Sequence, residues 1–191
     1  VSTDNQKTAE LARSLGAEVP FLRDTSFSGA RVDLEQVLQY SLQELEKRDI
    51  WPDIVVSLEI TFPFRDQNLI DDLIFDLVDK GLDTVIPAKE EFNSCWIEDS
   101  GNYRRVDEGF TPREFKKPVY VAIKGLGCAT YPNFIRDGKL FGNNVGMYTL
   151  KNPNAFIEVR SKNDFLLAEN LLTDFLTQHA VPIPQSHRTA G

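Results

Sequence analysis

The chain is poor in the residues on which several familiar chemistries depend. Its 191 residues include two cysteines, Cys95 and Cys128, two histidines, His179 and His187, and one methionine. The cysteines stand in no metal-like spacing and neither adjoins a histidine in sequence, which speaks against a zinc site and a disulfide framework. Two buried, hydrophobe-like thiols in a reducing compartment are expected instead, and with them a cytoplasmic setting. Both histidines fall in the C-terminal stretch and read as surface residues. No apolar run approaches the ~20 residues that a membrane-spanning helix needs. Positive charge is also scarce: 21 Lys and Arg face 29 Asp and Glu, for a formal net charge of −8. That balance argues against a nucleic-acid partner, because neutralising phosphates takes a basic face. An anionic small substrate stays open, since it needs only a local cluster of cations.

What is present is an alternation of strand and helix signals. Residues 5–15 and 32–47 carry helical apolar spacing, and Gly16 stops the first of them, with Thr3 or Asp4 as its cap. Ile54 to Leu58 is an apolar, largely β-branched run, followed at once by Glu59, Thr61, Pro63 and Arg65, then by a helix over 68–80 that ends at Gly81. Thr84 to Pro87 is a further strand. This order predicts an α/β fold with a mainly parallel sheet and helices on both faces. Cys95–Asp99 and Tyr103–Val106, joined by Ser-Gly-Asn, read as a hairpin. Residues 108–118 read as a loop; 119–123, 127–130, 145–150 and 155–159 are strand candidates; and 164–175 is an amphipathic last helix. The expected division is one domain over 1–180 and a flexible, Pro-rich tail over 181–191. In open α/β sheets, ligands bind beyond the carboxyl ends of the strands. The polar run from Glu59 to Arg65 is therefore a candidate binding edge. Val1-Ser2-Thr3-Asp4 reads as the tail of a strand, so a first strand is expected upstream of Val1.

With these elements in order, the chain resembles the acylneuraminate cytidylyltransferases, the CMP-sialic acid synthetase group, over roughly Val1 to Leu172. VSTDNQKTAELARSLGAEVPFLR resembles the family's segment after its second strand, and LEITFPFR resembles its Leu-Gln-Pro-Thr-Ser-Pro-Leu-Arg. Pro118-Val119-Tyr120, Gly127-Cys128-Ala129 and IEVRSKNDFLLAE fall in family order. The resemblance implies a Rossmann-like nucleotidyltransferase in which a sugar-acid hydroxyl attacks the α-phosphate of CTP and pyrophosphate leaves. It implies Arg23 and Asp33 at the nucleotide, and Glu59, Thr61, Arg65, Arg113 and Tyr120 at the acceptor. Arg65 has two readings, an anion ligand or a brace for its loop. Of Lys116 and Lys117, at least one is expected on a solvated loop. The resemblance further implies Mg²⁺, a homodimer formed through the middle hairpin, and no membrane or nucleic-acid partner.

The departures from the family are specific. Glu59 stands where the family has glutamine, which suggests a changed acceptor, because a carboxylate accepts from hydroxyls or an amine but repels another carboxylate. Leu126 stands where the family has an asparagine facing the sugar acid. The family's Asp-x-Asp metal pair reads Glu158-Val159-Arg160 here, leaving Glu158 as the one expected metal ligand. The family's glycine-rich, basic phosphate loop has no counterpart, so the expectation is an N-terminally truncated, divergent member that is inactive alone. The alternative is a non-catalytic sugar-binding or dimer-scaffold descendant of the same fold.

Overall fold

The computed structural model describes residues 1–29 and 31–178, for 173–178 the backbone only. The expected tail at 181–191, His179 and His187 lie outside the described residues. The described chain holds five α-helices and seven strands in this order: α1 Gln6–Ser14, α2 Leu34–Glu46, β1 Val55–Ser57, α3 Leu69–Asp79, β2 Thr84–Glu91, β3 Trp96–Asp99, β4 Asn102–Arg105, β5 Val119–Ala122, β6 Cys128–Thr130, α4 Pro132–Arg136, β7 Val145–Thr149 and α5 Lys162–Gln178.

The helices begin where local chemistry satisfies their free N–H groups. Asn5, rather than Thr3 or Asp4, caps α1, its side chain accepting from the Thr8 N–H. Thr3 Oγ1 sits one step earlier and accepts from the Asn5 N–H at 3.2 Å. Asp33 caps α2 in a reciprocal capping box with Gln36, an arrangement that satisfies two orphan donors at once. In α3, Asp71 and Asp72 occupy the first turn, where negative charge is favoured by the helix dipole. Leu69, Leu73 and Leu77 recur at helical spacing and are fully buried.

β2 is the centre of the sheet. Residues Thr84 to Ala88 are all buried, which requires cover on both faces. Val85 packs with Leu69, Leu73, Leu77 and Ala129. Its neighbour Ile86 points the other way, toward Cys128, Leu140, Leu34 and Leu38. The period of two therefore sends one residue to α3 and the next to α2, and helices lie on both faces as expected.

The sheet is not mainly parallel. Among the described strands, β2 pairs in parallel with β7, whereas β1–β6, β2–β5 and β2–β6 are antiparallel. β1 and β2 do run in the same direction, with α3 as their crossover, but β6 is slotted between them in the opposite sense. Burial on both faces produces the same continuous apolar run whichever way the neighbours point, so strand direction was not legible. β7 takes one whole edge of β2 from Thr84 to Ala88, so β6 at Thr84–Val85 and β5 at Ala88–Glu91 must share the other. Between them the chain leaves the ladder over residues 123–127.

The hairpin β3–β4 turns through Ser100 and Gly101, both at positive φ (53° and 83°), the backbone that suits a two-residue hairpin turn. The strand expected at 155–159 is instead a single 3-10 turn, Pro153–Phe156, followed by extended backbone. Asn152 starts the turn by accepting from the Asn154 N–H at 3.0 Å, and Pro153 suits the first helical position.

Candidate functional site

Beyond the carboxyl end of β1, the chain turns through Glu59 to Arg65 and meets the segment that leaves the ladder between β5 and β6. The Glu59 N–H donates to the Gly125 carbonyl at 2.7 Å. Behind them, the extended residues after Phe156 come alongside, with the Val159 N–H donating to the Thr61 carbonyl at 2.8 Å. These three segments enclose a cavity of about 320 Å³ lined by Glu59, Phe62, Lys124, Gly125, Glu158 and Arg160, among others.

Arg65 builds the frame of this cavity. Its Nε donates to the Leu126 carbonyl at 2.9 Å and its guanidinium to the Phe62 carbonyl at 2.8 Å. The remaining nitrogen donates to the carbonyls of Glu59 and Gly125. Burial lowers the Arg65 pKa from its ordinary value and the Glu59 carboxylate opposes that shift. A guanidinium stays charged even so. Of the two readings of Arg65, the geometry places it as the brace.

Gly125 permits the close approach. A Cβ there would lie 2.6 Å from Phe62 and 2.8 Å from the Glu59 carboxyl carbon. The Glu59 side chain therefore packs directly on peptide backbone. Its carboxylate faces Arg160 at 3.7 Å, and the two side chains are 33% and 65% exposed. The Arg160 guanidinium also meets Glu158 Oε1 at 2.5 Å. Its own backbone N–H is taken by Asp164, so Asp164 receives the main chain of Arg160 while the guanidinium turns to the cavity. Opposite, Lys124 is exposed.

The predicted residues divide into those this arrangement gathers and those it leaves elsewhere. Glu59 and Glu158 line the cavity, and Arg65 frames it. Tyr120 shares a face of β5 with Ala122, which lines the cavity; its hydroxyl lies 3.5 Å from Glu90. Thr61 holds the frame through its carbonyl, while its Oγ1 is buried without a hydrogen-bond partner in the described structure. Arg113 stacks its guanidinium over the Phe92 ring at 5.7 Å. Arg23 reaches Ser28 at 3.3 Å and Asp4 at 3.9 Å, and Asp33 is occupied as the α2 cap; both belong to the α1–α2 connection. Leu126 is fully buried in the core and is not among the residues that line the cavity. Lys117 is solvated as expected. Lys116, however, is buried, 2.8 Å from Asp107 and donating to the Phe92 and Asn93 carbonyls.

Sequence reasoning missed Lys124, Gly125 and Phe62. The signal was the run Lys124-Gly125-Leu126-Gly127 between two strand-like segments: glycines that interrupt a strand mark a close backbone approach.

Hard cations take oxygen ligands. Glu158 is held by Arg160, and among the described residues no three His, Cys, Asp or Glu side chains gather where they could hold a metal ion. The described residues do not fit a protein-held Mg²⁺ here.

No family model matches the chain. It is 25% identical over 177 residues to a CMP-N,N'-diacetyllegionaminic acid synthase of Legionella pneumophila, covering 90% of this chain and 76% of that protein. A protein of the same name from Campylobacter jejuni is 24% identical over 179 residues, covering 91% and 76%. Among solved structures, the 4-diphosphocytidyl-2C-methyl-D-erythritol synthase of Anaerococcus prevotii superposes with a TM-score of 0.54 at 18% identity, covering 74% of this chain and 65% of that one. That likeness shows a shared Rossmann-like α/β fold. The sequence relatives match nine-tenths of the chain and support its similarity, at a divergent level, to CMP-sialic acid synthetase-like proteins.

Proposed function

We propose that this chain is a cytidylyltransferase domain that uses CTP and a sugar acid of the sialic acid-like class, in a cytoplasmic route to glycoconjugate precursors. The observation that carries the reading is the mixed-charge cavity beyond the carboxyl end of β1, in a chain whose relatives are named CMP-N,N'-diacetyllegionaminic acid synthases. In the reaction, a hydroxyl of the acid attacks the α-phosphorus of CTP, the bond to the bridging oxygen breaks and pyrophosphate departs. Glu59 accepts a hydrogen bond from an acceptor hydroxyl or amine, which orients the nucleophile. Lys124 supplies positive charge for the acceptor's carboxylate. Arg65 keeps the Glu59 loop and the Gly125 segment at a fixed separation. Arg23 and Asp33 belong to the nucleotide side of the proposal, and Arg113 and Tyr120 to the acceptor side.

The exposed Trp96, Tyr103, Phe110 and Phe115 of the hairpin and its following loop support a homodimer formed there, since apolar patches of this kind mark association surfaces. Among the described residues no helix is long and apolar enough to cross a membrane.

A second reading, a sugar-binding domain without turnover, is favoured by one observation: Arg160 occupies Glu158 where the family carries a second carboxylate. The two separate on pyrophosphate release from CTP in the presence of a diacetylated legionaminic-type acid, with and without Mg²⁺. Acid-dependent release supports the transferase. Acid binding in titration calorimetry with no release supports the binding domain, and neither signal overturns both.

A further inference from the structure

We propose that Arg160 is the resident cation of the cavity: its guanidinium, set between Glu158 and Glu59, takes the place that a divalent ion would otherwise hold, and divalent ions are excluded. The proposal rests on reading this cavity as the binding site, and not on the identity of the reaction. Four charged side chains line the cavity, Glu59 and Glu158 against Lys124 and Arg160, so their formal charges cancel. Arg160 reaches Glu158 at 2.5 Å and Glu59 at 3.7 Å. A divalent ion approaching those oxygens must displace a guanidinium that has no neutral form and must then sit beside it and Lys124, two like charges at short range. Arg65 stands behind Glu59, bonded to its carbonyl, and adds a third.

A guanidinium donates hydrogen bonds and ligates nothing. It therefore makes a different site from a metal. Arg160 offers N–H groups fixed in a plane, suited to the paired oxygens of a carboxylate or phosphoryl group, and it does so without a free ion to recruit. Gly125 keeps Glu59 pressed onto backbone, so Glu59 is held within reach of Arg160. The backbone bond from the Arg160 N–H to Asp164 at 3.1 Å holds the other end.

The test uses Mn²⁺ alone, with no nucleotide or sugar, so that absence of nucleotidyl transfer leaves its outcome intact. The readout is paramagnetic broadening of the Glu59 and Gly125 backbone amide signals in the full chain. In the wild type these signals persist, and Arg160→Asp, which adds a carboxylate and removes the cation, loses them at roughly tenfold lower Mn²⁺. Glu158→Gln in the Arg160→Asp background removes one carboxylate and gives back part, not all, of that gain. Arg160→Gln, which removes the cation without adding a carboxylate, shifts the response in the same direction by a smaller factor. Should Arg160→Asp not fold, the wild type and Arg160→Gln decide the matter between them. Wild-type broadening that Glu158→Gln abolishes overturns the proposal. So does an Arg160→Asp protein with a native spectrum and no gain in Mn²⁺ sensitivity.

Discussion

Replacing Arg65 by methionine removes a guanidinium that ties two loops together and leaves its aliphatic stem. Three of its bonds, to the carbonyls of Leu126, Phe62 and Gly125, have ordinary lengths of 2.9, 2.8 and 3.1 Å. A bond from a charged donor contributes ~1.5–3 kcal/mol net when buried. Arg65 is half-buried, so about 1 kcal/mol each is the fitting figure. The loss is then about 3 kcal/mol, a large part of the ~5–15 kcal/mol that stabilises a domain of this kind. With a urea slope of ~2 kcal/mol per molar, the unfolding midpoint falls by ~1.5 M. Arg65→Lys recovers less than half of this, because one ammonium cannot span carbonyls on both loops. Urea titration by circular dichroism checks both numbers. A midpoint within ~0.3 M of wild type would refute the bracing role and return Arg65 to the ligand.

Further outcomes follow from neighbouring geometry. Gly125→Ala places a methyl 2.6 Å from Phe62 and 2.8 Å from the Glu59 carboxyl carbon; overpacking of that kind costs ~1–3 kcal/mol, and a thermal melt and ligand titration should show lowered stability with a disturbed cavity. Thr61→Val removes a buried hydroxyl that has no partner in the described structure and stabilises the free chain by ~1 kcal/mol, read by thermal denaturation; a loss instead would show that the hydroxyl is satisfied in solution. Hydrogen bonds from Arg105, then Lys116, hold Asp107 far below the usual carboxylate range. Its folded pKa is the lower one, so its stabilisation is present above about pH 4 and fades as pH falls toward the folded value. Hydrogen exchange at the Cys95 amide, which Asp107 accepts at 2.9 Å, should stay protected at neutral pH and open only in strong acid, and Asp107→Asn should abolish that dependence. Burial pushes the Cys128 thiol up to about 12, so native-state alkylation at pH 8, followed by mass spectrometry, should label Cys95 and spare Cys128.

Much of the fold was legible because its causes are local or periodic. Leucines at helical spacing in α3 and the Ser100-Gly101 turn each act within a few residues, whereas the Asp33 capping pair, equally local, was read as a nucleotide contact. Strand direction was not legible, since β6 enters between β1 and β2 only after the chain has returned from the hairpin. The missing strand at 155–159 shows the converse: β-branched spacing pointed one way, and the Asn152-Pro153 start of a 3-10 turn prevailed.

For the site, the sequence marked the polar run 59–65 as a candidate edge, and the family resemblance marked Glu59 and Arg160 as departures. Those are matters of residue identity in order along the chain. Tertiary structure decided what each does, because three segments far apart in sequence converge there. Arg65 became a brace because four carbonyls from two loops surround its guanidinium. Lys124 and Gly125 entered the cavity because β5 and β6 part at that point. Lys116 turned inward because Asp107 waited beneath it. Arg160 settled between two carboxylates, one of them about a hundred residues away, and no spacing along the chain expresses that proximity.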